Sequence, residues 1–377
     1  MDRKTLIQQL LKECSFEPAS DQALAFAPAN IALCKYWGKR NTDLHLASTP
    51  SLSISLGSLG ATTQIALSDA ASDSIRVNDT IIDATTPFAQ RLSGFLDYFR
   101  PSPTTNFAVD THSTIPIAAG LASSACGFAA LVQAIDKLFA WHLPESSLAI
   151  LARLGSGSAT RSLWQGFVEW PMGIREDGLD SFGVPLDVFW PDLRIGLLIV
   201  EAGPKAFSSR AAMQETVLSS PFYTTWTLEQ PKALSMMKIA IQERDFESLG
   251  VFTERNALAL HALMSTANPP IVYSNAQTLT AIHQIWACRK EGLKIFFTQD
   301  AGPNLKILFL KKDLEAVKGF FPTLEVADPF ATPFPECDSG AYIPVFDDSP
   351  SLESTPLLRI QKKVSEVLLP EDLKSCL

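Results

Sequence analysis

Residues 51–56 alternate Ser-Leu-Ser-Ile-Ser-Leu, the period of two that a half-buried β-strand imposes on its side chains. Thr63, Ile65 and Leu67 continue the alternation beyond Gly57 and Gly60, and Phe107 and Val109 read as another strand. The first third of the chain is therefore expected to be rich in antiparallel strands. Helical spacing takes over at Phe88, Leu92, Phe95 and Phe99, where Thr86 can cap the helix and Pro87 fits its first turn. An apolar helix through Phe128, Leu131, Val132, Ile135 and Leu138 follows, then another over about 144–154. In the second half the pattern predicts a continuous apolar strand over 195–200 and helices around 232–244 and 275–291. The last of these has Leu279, Ile282 and Ile285 inside, Arg289 and Lys290 in its final turn and Gly292 as its stop. Strands over 293–299 and 305–310 flank the turn 301–304 and leave Asp300 at a strand end. Residues 3–14 place Leu6, Leu10 and Leu11 on one helical face and predict a peripheral helix without visible chemistry.

Between residues 180 and 192 the chain reads as loop, punctuated by Pro185 and Pro191. A domain boundary is expected there, dividing an N-terminal α+β domain, 1–190, from a C-terminal α+β domain, 191–377. Strand-rich and helix-rich stretches mixed in this way suggest two lobes around a cleft rather than a doubly wound sheet.

A hydrophobic content of 46% with only 19% charged residues describes a chain that buries a core. Its net charge of −9 supplies no general basic field for nucleic acid or an anionic membrane, so an anionic substrate needs a locally positive pocket. No apolar run approaches the roughly 18–20 residues of a membrane span, and the charged N-terminus lacks a signal peptide's apolar core, which places the protein in the cytoplasm. Cysteines 14, 34, 126, 288, 337 and 376 form no CxxC pair and read as structural thiols in a reducing compartment.

Two small-residue loops stand out. Residues 116–127, PIAAGLASSACG, let backbone N–H groups approach an anion at the positive end of the following helix; the same composition also suits a loop packed beneath a neighbour. No Gly-Lys-Ser/Thr follows, so it is not a Walker A loop. Residues 155–160, GSGSAT, follow a helix instead of a strand, unlike a dinucleotide fingerprint. Arg161, directly after them, can grip a carboxylate or phosphate bidentately, or form an ordinary surface ion pair. Lys35, Lys39 and Arg40 sit beside Tyr36 and Trp37 in an apolar run, placed either for an anionic substrate or along a solvated strand edge. Asp300 can orient or deprotonate a hydroxyl, or bond its own turn.

Together the blocks APANIALCKYWGKR (27–40), IPIAAGLASSACGFAAL (115–131), GSGSATRSLWQGFVEW (155–170) and DAGPN (300–304) resemble, in order, the signatures of mevalonate diphosphate decarboxylases. This family belongs to the superfamily of galactokinase, homoserine kinase, mevalonate kinase and phosphomevalonate kinase. The resemblance implies a two-lobed small-molecule kinase-like fold with the active site in the cleft between lobes. There ATP and Mg2+ would meet mevalonate 5-diphosphate and convert it to isopentenyl diphosphate, ADP, phosphate and carbon dioxide. It assigns catalytic roles to Asp300, Lys35 and Arg161, and substrate contacts to Tyr36, Lys39, Ser156, Ser158, Arg161, Ser209 and Arg210. Gly120, Leu121, Ala122, Ser123, Ser124, Ala125 and Gly127 would bind ATP, with magnesium carried on the nucleotide near Ser124 instead of on a dedicated motif. A homodimer is expected on the same analogy. Cys126 and Gln299 depart from the family pattern, and the N-terminal segment has no counterpart in it. A decarboxylase of mevalonate monophosphate, a simple kinase and a nucleotide-binding sensor are the alternatives.

Overall fold

Local chemistry starts two of the helices where the sequence says it should. Thr86 caps a helix whose first residue is Pro87, accepting a hydrogen bond from Ala89 N, and Asn275 and Thr278 form a reciprocal capping box. The computed structural model describes residues 1–115, 123–201, 203 and 207–331, with Ser123 described through its backbone alone. Cys337, Cys376 and the rest of the C-terminal segment lie outside the described residues.

Helix α1 (Arg3–Leu10) precedes the long strand β1 (Gln22–Cys34), the short pair β2 (Lys39–Asn41) and β3 (Leu46–Ala47), and β4 (Ser51–Ser68). Then follow β5 (Ser74–Val77), β6 (Thr80–Ile81), α2 (Pro87–Leu96), β7 (Asn106–Ser113), α3 (Ser123–Leu138) and α4 (Glu145–Gly155). A 3-10 turn (Gly157–Arg161) leads to β8 (Phe167–Trp170), β9 (Val184–Pro185) and β10 (Leu193–Leu198). The second half runs α5 (Ser209–Ser219), α6 (Tyr223–Gln242), α7 (Phe246–Ser265), α8 (Ala276–Lys290), β11 (Phe296–Gln299), β12 (Leu305–Leu310), α9 (Leu314–Phe320) and β13 (Glu325–Ala327).

The alternation over 51–67 belongs to a single strand. β4 pairs β8 through its first residues, β7 through its last and β1 along most of its length, all antiparallel. With β5, β6 and β9 these strands make a seven-stranded sheet, in which β5 and β7 are the parallel neighbours. The second sheet is antiparallel in the order β11-β12-β10-β13. α3 packs against β1 and β4, whereas α7 packs against both β11 and β1 and so ties the two sheets together.

Several elements differ from expectation for identifiable reasons. α1 is not peripheral: Leu6, Ile7 and Leu11 are buried in the main core, each side chain contributing about 1.5–3 kcal/mol by burial. α6 begins well before residue 232 because Pro231, a helix breaker in the sequence, lies inside it. The inner face of α7 carries Thr253, Glu254 and Asn256 among its apolar residues, which obscures the helical period. No disulfide forms among the described residues, and Cys34, Cys126 and Cys288 are buried.

Candidate active site

Lys35 follows directly after β1, and Asp300 directly after β11. The fold brings Lys35 Nζ to 2.6 Å from Asp300 Oδ1, while Lys306 Nζ, from the second residue of β12, lies 2.9 Å from Asp300 Oδ2. Both lysines are buried, and the carboxylate is 22% exposed. Burial alone would raise the Asp300 pKa, but the charges and hydrogen bonds of Lys306 and Lys35 outweigh it and hold the carboxyl well below the usual range. The turn reading of Asp300 therefore fails for its side chain: Gly302 N donates to the Asp300 backbone carbonyl, and the carboxylate faces the lysines.

One helix braces both halves of this pair. Lys35 N donates to Asn256 Oδ1 of α7, whose Nδ2 donates to Gln230 Oε1 of α6. One turn and a half further along α7, His261 Nε2 lies 3.1 Å from the Asp300 carbonyl oxygen. That carbonyl only accepts, so Nε2 carries the proton. Burial holds the ring neutral, with its pKa lowered to about 4.

The Asp300 carboxylate opens into a cavity of about 900 Å³ whose wall includes Lys35, Tyr36, Lys39, Ser124, Ser156, Ser158, Arg161, Ser209 and Arg210. Lining residues come from both halves of the chain. Arg161, at the end of the 3-10 turn, is buried, and its Nη1 donates to Ser51 Oγ at 2.8 Å. Its Nε has no protein partner and no carboxylate pairs with it in the described structure. Burial lowers its pKa to about 10, which leaves it charged at neutral pH. A buried guanidinium held by a neutral serine is an unsatisfied cation, a ready partner for an anion.

Tyr36 packs on Trp170 at 4.7 Å between ring centroids, and its buried hydroxyl has no partner among the described residues. Gly157 faces that hydroxyl so closely that a Cβ there would lie 2.8 Å from it. Ser156 Oγ lies 3.4 Å from Ser158 Oγ and 3.3 Å from Ser124 Oγ, joining the two small-residue loops on one wall. Lys39 is half-buried; burial, with Arg210 and Arg3 nearby, lowers its pKa to about 8. The solvated-edge reading thus fails for Lys35 and Lys39, whereas Arg40 turns to the carbonyls of Met172, Gly173 and Arg175.

Gly120, Leu121 and Ala122 lie outside the described residues. From residue 123 the loop becomes α3, with Ser124 exposed on the cavity wall, Ala125 buried and Gly127 a turn inside the helix. Lys306, Asn256, His261 and Arg3 had no place in the sequence reading. A lone lysine inside the apolar run 305–310 is the signal that points to the first; polar side chains on a helix carry no such mark.

Fold and site together define an enzyme of the two-lobed small-molecule kinase class, with a cationic cavity around a buried carboxylate. Residues 27–183 match the diphosphomevalonate decarboxylase-like N-terminal domain, and residues 195–366 match the mevalonate 5-diphosphate decarboxylase C-terminal domain. The diphosphomevalonate decarboxylase of Gibberella zeae is 36% identical over 80% of this chain and 84% of its own length. The crystal structure of mevalonate diphosphate decarboxylase from Staphylococcus aureus aligns with a TM-score of 0.77 at 32% identity, covering 83% of this chain and 97% of that one. The complex of MDDEF with MVAPP, AMPPCP and magnesium aligns with a TM-score of 0.74 at 34% identity, covering 81% and 96%. The chain belongs to the diphosphomevalonate decarboxylase family.

Proposed function

We propose that this chain converts mevalonate 5-diphosphate and ATP to isopentenyl diphosphate, ADP, phosphate and carbon dioxide. The observation that carries the reading is a carboxylate shared by two lysines, opening into the same cavity as a buried arginine without a carboxylate partner. A substrate with a tertiary hydroxyl, a carboxylate and a diphosphate meets a complementary group at each point.

Asp300 accepts a hydrogen bond from the 3-hydroxyl and aims its oxygen at the γ-phosphorus. Its depressed pKa makes it a weak base, so orientation is its main contribution, and the hydroxyl proton passes to its carboxylate only as the new oxygen–phosphorus bond forms and the bond from the γ-phosphorus to ADP breaks. Lys35 neutralises charge beside the transferring phosphoryl group. Once phosphorylated, the C3–O bond breaks and phosphate departs with its electron pair. The electrons of the C1–C2 bond then form the C2–C3 double bond as carbon dioxide leaves. Arg161 holds the carboxylate until that step, with Nε and its remaining Nη the donors. Tyr36, Lys39, Ser156, Ser158 and Arg210 hold the diphosphate, and Ser209 sits near the phosphoryl acceptor.

The loop containing Gly120, Leu121, Ala122, Ser123, Ser124, Ala125 and Gly127 binds the ATP phosphates, supported by the electropositive start of α3. Magnesium bound with ATP would neutralise the β- and γ-phosphate oxygens. Among the described residues no three His, Cys, Asp or Glu side chains cluster as metal ligands. The exposed Ser124 hydroxyl is a suitable oxygen ligand, and the nucleotide supplies others.

A boundary between domains near residue 190 is supported by the limits of the two family matches, 183 and 195. No described helix is long and apolar enough to cross a membrane. We place the enzyme in the cytoplasm as a homodimer, to be checked by fractionation and light scattering. The function itself is tested by following gas and nucleotide together: one carbon dioxide per ADP is expected, and ADP without carbon dioxide would identify a simple kinase.

A further inference from the structure

The segment matched by the N-terminal family model begins at residue 27, yet α1, which precedes it, reaches the cavity. Its first residue, Arg3, lines the wall together with Lys39, His45 and Arg210. The helix is firmly seated. Leu6, Ile7 and Leu11 are buried in the core, and Asp2 caps the first turn by accepting from Thr5 N at 2.8 Å.

The guanidinium is also fixed. Its Nε and Nη2 donate to the carbonyl of Asp43 at 3.1 and 2.6 Å, and the Arg3 backbone N donates to Asp43 Oδ2 at 2.9 Å. The Asp43 carboxylate lies 3.8 Å from Nε and is 56% exposed, so solvent weakens its hold on the positive charge. Arg3 Nη2 lies 3.5 Å from His45 Nε2. His45 Nδ1 is 2.9 Å from the Arg153 carbonyl, which only accepts, so Nδ1 carries the proton and Nε2 presents its lone pair to Arg3. These contacts hold the fork at the cavity through Nε and Nη2, and among the described residues none bonds Nη1.

Two groups of cations follow. Lys35 and Lys306 pair with Asp300, where the chemistry occurs, and Arg161 acts on it, whereas Arg3 and Arg210 act on Lys39 and line the wall of the same cavity with it. We propose that Arg3 binds the terminal phosphate of the diphosphate and that α1 thereby helps the enzyme select a diphosphate over a monophosphate. The inference rests on the substrate reading above. A terminal phosphate carries the charge that a monophosphate lacks at this position, and a planar fork suits its oxygens.

The test compares kcat and KM for mevalonate diphosphate and mevalonate monophosphate in the wild type, Arg3→Gln and Arg3→Lys. Arg3→Gln should raise the diphosphate KM about tenfold, the scale of one lost charged contact, with kcat within about twofold and monophosphate kinetics unchanged. Arg3→Lys should recover part of the loss. Because both substrates are run on the same sample, a poorly folded fraction lowers both rates together and leaves the KM ratio intact. An unchanged diphosphate KM, or an equal rise for both substrates, would overturn the role of Arg3. A wild type that prefers the monophosphate would instead overturn the substrate reading.

Discussion

Lys306 and Asp300 meet at 2.9 Å inside the fold, a contact between the start of one strand and the residue that follows its neighbour. With Lys35 on the other oxygen, the carboxylate faces two buried ammonium groups and stays ionised throughout the neutral range. The cluster sets two ammonium groups on one carboxylate, so loss of Lys306 leaves an ion pair with Lys35 and weakens the field that holds Asp300 ionised.

Lys306→Met should therefore lower kcat by about one to two orders of magnitude, an effect comparable to losing one oriented charge in a site. It should also move the acid limb of kcat/KM to higher pH. The depressed Asp300 pKa makes its ionised form stabilising above the ordinary carboxylate range, a contribution lost as pH falls through the folded value. Without Lys306 the folded carboxylate protonates at higher pH, so the contribution is smaller and the ionised form is lost sooner on acidification. An acid limb that does not move would show that Lys306 leaves Asp300 unaffected.

Lys39 gives an alkaline signature. Burial, Arg210 and Arg3 lower its pKa from 10.5 to about 8 in the free enzyme. Its charge is present below that pH and lost above it, so substrate KM should rise as pH passes 8. A bound polyanion restores the charge, and calorimetry in buffers of different ionisation enthalpy should register proton uptake near pH 8–9. For stability the sign is the reverse of a salt bridge: the unfolded lysine holds more protons between about pH 8 and 10.5, so this group favours folding increasingly across that interval. Lys39→Arg should flatten the KM profile; a variant retaining the same rise would assign it to another group.

Arg161→Lys should remain folded and lose about two orders of magnitude in kcat/KM, because an ammonium cannot bridge a carboxylate as a planar fork does. Ser51→Ala, which removes the hydroxyl that accepts from Nη1, should have a smaller effect of the same kind. Kinetics indistinguishable from wild type in Arg161→Lys would remove the carboxylate contact from the mechanism.

Gln299 spans the turn that carries Asp300: its Nε2 donates to Gly302 O at 2.9 Å and to Ser274 Oγ at 3.1 Å. Gln299→Leu should destabilise the protein by about 1–3 kcal/mol by stranding the buried carbonyl. Chemical denaturation provides the measurement, with an unchanged midpoint as the contrary result.

These residues also show how far the sequence could be read. Strand alternation and helix caps are local and were legible: Thr86, Pro87 and Asn275 do in the fold what their side chains favour anywhere. The encounter of Lys35 with Asp300, 265 positions apart, is set by strand pairing and by α7, so only the family resemblance pointed to it. Polar braces such as Asn256 and His261 were illegible because their partners, the Lys35 amide and Gln230 side chain for one and the Asp300 carbonyl for the other, lie in distant segments. Arg3 was hidden for another reason, since a charged residue at the start of an amphipathic helix ordinarily faces solvent.

The most direct test of the account is a single turnover with Asp300→Asn, enzyme in excess over mevalonate diphosphate, with saturating ATP and magnesium. The wild type should release one carbon dioxide and one ADP per substrate. The variant should bind both ligands yet slow both products together by about three orders of magnitude, the range for loss of an oriented acid–base group. Turnover within tenfold of wild type would contradict the central role assigned to this carboxylate.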